Sequence, residues 1–77
     1  MTNELKKGYR IVMLGKYGER DYVEKILDGG IPCTCGSAIE YAGIFHENCA
    51  KNIVKNIRQY WLTPHVSVEI ELVEAMA

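Results

Sequence analysis

Every cysteine of the chain and one of its two histidines fall within 17 consecutive residues. They form Cys33-Thr34-Cys35-Gly36 and, nine residues on, His46-Glu47-Asn48-Cys49. Thiolate sulfur and neutral imidazole are preferred zinc ligands, converging as a tetrahedron at about 2.0–2.3 Å. The two pairs therefore read as halves of a Cys₃His site. A Cys-x-Cys turn can aim both sulfurs at one point, and Gly36 frees the backbone for such a bend. His46 and Cys49, three residues apart at a helix start, lie about one turn apart on one side. The open N–H groups and positive dipole end there favour thiolate, and Phe45 would wall the metal off from water. Four protein ligands leave no position for water or substrate, so such a site staples rather than catalyses. The residues also admit plainer roles. Cys49 could be a small buried hydrophobe, His46 a surface residue, and Cys33 and Cys35 free loop thiols or a redox pair.

The elements that must carry these residues are legible to different degrees. From Glu47 to Trp61, Cys49, Ile53, Ile57 and Tyr60 recur every three to four residues, with Ala50, Val54 and Trp61 widening the stripe. That is an amphipathic helix, and Leu62-Thr63-Pro64 ends it. His65 to Val73 alternates, with Val66, Val68, Ile70 and Leu72 on one side and Ser67, Glu69 and Glu71 on the other. This is a strand with one wet face, expected antiparallel to a second strand at Tyr9–Leu14 whose apolar residues fall on both faces. Lys16–Glu19 is a turn. In Asp21–Leu27 the apolar positions 22, 23, 26 and 27 predict a short helix, capped by Asp21 and Glu24 and stopped at Gly29-Gly30, with a hairpin strand as the alternative. A short strand near Ile39–Tyr41 would return the chain to His46. Residues 1–8 read as a frayed polar start.

At 77 residues the chain is one domain with a small core, the size at which a metal or a partner often supplies stability. The fold class expected is α+β: a two- to three-stranded antiparallel sheet on one long helix, with the knuckle before it. Nine Lys and Arg against ten Asp and Glu remove the usual cationic case for nucleic-acid binding. The charge is uneven, since residues 62–77 contain three acids and neither Lys nor Arg. No segment resembles a membrane span or a signal peptide, and an odd cysteine count fits a reducing compartment, so a cytoplasmic location is expected.

A cysteine turn ending in glycine, a short excursion, and an aromatic-His-x-x-Cys entry into an amphipathic helix resemble a treble-clef zinc finger over residues 31–61. The resemblance implies a structural Zn²⁺ on Cys33, Cys35, His46 and Cys49, worth on the order of 10 kcal/mol in small fingers. It implies no single function, because the motif serves many.

Catalysis finds no support in the remaining residues. His65 has no positioned partner in the sequence, Glu40 and Glu47 could at most orient His46, and Gly15 to Gly18 matches no phosphate loop. Contact is the better expectation. Lys51, Lys55 and Arg58 share one helix side and could meet phosphates or a partner, with Lys6, Lys7, Arg10, Lys16 and Arg20 as an extension of the patch. Tyr9, Tyr17, Tyr22, Tyr41, Tyr60 and Trp61 are candidate interface anchors, Tyr60 and Trp61 foremost. An exposed strand edge could pair two copies. The function expected is a zinc-stabilised protein–protein interaction module, similar in size and style to bacterial and phage regulators of larger machines. The alternatives are a nucleic-acid-binding finger and a small thiol-redox protein.

Overall fold

The computed structural model describes the backbone of residues 5–76 and the side chains of residues 8–73. Its strands are β1 (Leu5–Leu14), β2 (Arg20–Ile26), β3 (Pro32–Thr34) and β4 (Ser67–Met76). They form one antiparallel sheet in the order β3-β2-β1-β4. Helix α1 (Glu47–Asn56) continues through a π-helical turn, Ile57–Trp61. The molecule is α+β, as the sequence implies, but its sheet has four strands rather than two or three.

The first three strands are a meander closed by short turns. Gly18 (φ 82°) closes one, and Gly29 and Gly30 (φ 86° and 82°) close the next, a region of backbone space that side chains disfavour. The chain then crosses the sheet as a helix and returns as β4, antiparallel to β1 with Met13 opposite Val68 and Ile11 opposite Ile70. Strand alternation sends Ile11, Met13, Val23 and Val68 to one face, where Ala50, Val54 and Ile57 of the helix cover them. Each such buried aliphatic side chain contributes about 1.5–3 kcal/mol.

The face away from the helix is closed by charge. Val12 is fully buried on that face. The Glu71 carboxylate accepts from Arg10 Nε (2.9 Å) and Arg20 Nη1 (2.8 Å). Both guanidiniums lie within 6 Å of the Tyr22 ring, at 5.8 and 5.9 Å from its centroid. The Arg10 and Arg20 hydrogen bonds hold the Glu71 pKa below the usual carboxylate range, against the opposing effect of burial.

Four expectations are corrected. Residues 21–27 are largely strand, not helix: β2 ends at Ile26, and a bulge between Val23 and Lys25 shifts the alternation so that Val23 and Ile26, three apart, both reach the core. Ile39–Tyr41 is a single 3₁₀ turn rather than a strand. The frayed start is in fact strand from Leu5 onward, and residues 1–4 lie outside those described. The helix buries Ala50, Val54 and Ile57, while Cys49 and Tyr60 of the expected stripe are exposed.

Candidate functional site

The four expected metal donors sit on three separate pieces of chain. Cys33 lies on β3 opposite Lys25, half-buried. Cys35 follows in the turn, where its backbone N–H donates to the Tyr22 carbonyl (2.9 Å). Its thiol Sγ is within hydrogen-bond range of the carbonyls of Ala38 (3.4 Å) and Tyr22 (3.5 Å). Loss of water around this sulfur, then the charges of Glu24 and Asp21, push its pKa up. His46 is the exposed N-cap residue of α1 and makes no side-chain cap bond. Cys49 is exposed beside Ile26, Phe45 and Ile53. Among the described residues, no three His, Cys, Asp or Glu side chains gather into a group that could hold a metal ion. Glu47 is engaged elsewhere, with Lys51 at 3.1 Å.

His65 has a partner that sequence order concealed. Its Nε2 lies 3.0 Å from Asp21 Oδ2, and the other Asp21 oxygen accepts from the Gly36 N–H at 3.0 Å. Asp21, read from the sequence as a helix cap, thus ties the loop before β4 to the turn after β3. His65 Nδ1 is buried without a hydrogen-bond partner. The adjoining hollow is lined by Gly15–Tyr17, Glu19–Asp21 and Pro64, with no serine or cysteine among them to serve as nucleophile.

The richest constellation lies along β4. Lys51, Lys55 and Arg58, one helix side in the sequence, face a groove of about 610 Å³ whose other wall is Val68, Glu69 and Ile70. Arg58 Nη2 donates to the Val68 carbonyl (3.3 Å), fixing the helix end to the strand. Lys51 has its exposed pair with Glu47, and Lys55 makes no ion pair among the described residues. Arg10 and Arg20 do not extend this patch, because they are spent on Glu71 on the opposite face. Lys16 lies over the Tyr17 ring in the β1–β2 turn (5.6 Å).

Strand β4 closes one side of the sheet and, among the described residues, pairs only with β1. In an antiparallel ladder every second residue of an edge strand turns its N–H and C=O outward. Its helix-side residues are apolar and incompletely covered: Val68 is buried, but Ile70 is 37% and Leu72 52% exposed, and Val66 just before the strand is 58% exposed. The opposite edge, β3, is three residues long and begins with proline, which blunts it. Of the expected anchors, Tyr60 is exposed, whereas Trp61 packs its ring on the core. The sequence offers an exposed strand edge as a possibility, and the sheet order assigns it to β4.

No helix among the described residues is long and apolar enough to cross a membrane. In comparisons with known proteins, no family model matches the chain, and no curated protein or solved structure matches it.

Proposed function

We propose that this chain is a small binding module that works by contact with another protein, through the open edge of β4. One observation carries the reading. A ten-residue edge strand without proline leaves Val66, Ile70 and Leu72 exposed in line on one side. Arg58 occupies the Val68 carbonyl and leaves the edge open beyond it; open apolar edges template a further strand, and strand addition is a common mode of peptide recognition. Redox use of Cys33 and Cys35 would need a reactive Cys35 thiolate, whereas loss of water around its sulfur pushes its pKa up. Regulation of a larger machine is compatible with such a module, and the partner's chemistry would decide it.

The test is a titration of ¹⁵N-labelled protein with a capped hexapeptide alternating glutamine and valine. Amide shifts concentrated in β4 and along α1 are expected. Shifts confined to the β1–β2 turn around Tyr17, or none, would reject the edge as the recognition surface.

A further inference from the structure

We infer that the occupant of the β4 edge is an extended acidic peptide segment, with glutamates on the side facing α1. This rests on the proposed contact function of that edge. The flanking groove supplies the charge argument: Lys51, Lys55 and Arg58 line one wall, and Val54, Val68 and Ile70 supply the apolar surface between them and the strand. A strand laid against β4 alternates its side chains between the two faces of the sheet. Those on the helix side pass over Ile70 and end under the lysines. A glutamate fits both demands, its methylenes on the apolar surface and its carboxylate at the cations. Side chains on the other face meet Glu69, which disfavours an acid beside it, and Glu71, whose charge Arg10 and Arg20 already offset. The pattern selected is therefore acidic at alternate positions only.

Two other occupants fit less well. A second copy paired antiparallel through β4 would be related by a two-fold axis across the sheet. Both helices would lie on the same face, with Lys51, Lys55 and Arg58 opposing the same cations. A nucleic acid would match the cations but would leave the outward main-chain groups without strand partners.

Three capped hexapeptides test this, each with valine at alternate positions and glutamate, glutamine or lysine at the others, titrated into the labelled full chain. The glutamate peptide should bind about tenfold tighter than the glutamine peptide, the scale of two or three rim charges, and the difference should shrink as salt rises. The lysine peptide should bind weakest. In the double variant Lys51→Glu, Lys55→Glu, both sites being exposed, the order should invert. Lys55→Gln alone should reduce the preference while retaining binding. Equal affinity for all three peptides at β4 would overturn the acidic occupant and leave the edge function standing. Failure of all three to shift β4 would remove the edge function itself. Tighter binding of an oligothymidylate to the same groove, or sedimentation showing self-association that masks β4, would also overturn the inference.

Discussion

Glu71 accepts from two arginines above one tyrosine ring, and through them it closes a sheet face that no helix covers. Its pKa is depressed in the fold, so its stabilising contribution is present above the unfolded carboxylate value and is lost as pH falls through the folded one. Glu71→Gln should therefore cost about 1–2 kcal/mol in urea unfolding at neutral pH, with two guanidiniums left adjacent and unpaired. The gap from wild type should close in acid. A gap independent of pH would mean the carboxylate contributes only shape. The thiols are graded in the same way by surroundings. Cys49 is exposed and should be labelled first by a thiol reagent, Cys35 last, because burial and neighbouring acids oppose its thiolate. Peptide mapping of partially labelled protein gives the order. Equal rates would show that the Cys35 contacts to Tyr22 and Ala38 do not persist in solution.

At the scale of elements, the helix and the last strand were legible because each has a clean period over many residues. The helix was nevertheless rotated in the reading. A stripe centred on Cys49, Ile53, Ile57 and Tyr60, with Ala50 and Val54 at its margin, differs from one centred on Ala50, Val54 and Ile57 by a fraction of a turn, and sequence weights large residues over alanine. The structure sets the matter by burial: Ile57 is inaccessible while Tyr60 is 65% exposed. Ile57→Ala should cost about 2–4 kcal/mol and Tyr60→Ala under about 0.5 kcal/mol in the same unfolding assay. Comparable losses at both positions would restore the first stripe. Strand β2 was illegible for a different reason, since its bulge converts a two-residue period into a three-residue one that imitates a helix. Gly43 shows how tightly the following loop lies on that strand. Its N–H donates to the Val23 carbonyl (2.9 Å), and a Cβ there would collide with the Glu24 backbone carbonyl. Gly43→Ala should destabilise by about 1–3 kcal/mol, because backbone rather than a movable side chain must yield.

For the molecule as a whole, spacing in sequence did not become proximity in space. Cys33, Cys35, His46 and Cys49 are near in sequence, yet the β3 pairing and the 3₁₀ turn distribute them so that no shared ligand group forms among the described residues. An apolar core lies between sheet and helix. If the four donors stay apart in solution, elemental analysis should find well below one zinc per chain, with the melting temperature unchanged by a chelator. One zinc per chain, lost together with a fall in melting temperature, would reinstate the Cys₃His site.

What the whole fold does create is a long open edge with apolar residues on one side and three cations beyond them, assembled from α1 and β4. Neither segment reveals it alone, because the sequence does not state which strand ends the sheet. Amide hydrogen exchange of the full chain, with and without the alternating glutamate–valine peptide, tests that claim most directly. Alternate amides of β4 should exchange quickly in the free protein and become protected when the peptide is present. Protection already present throughout β4 in the free chain, or peptide-induced protection elsewhere with β4 unchanged, would contradict it.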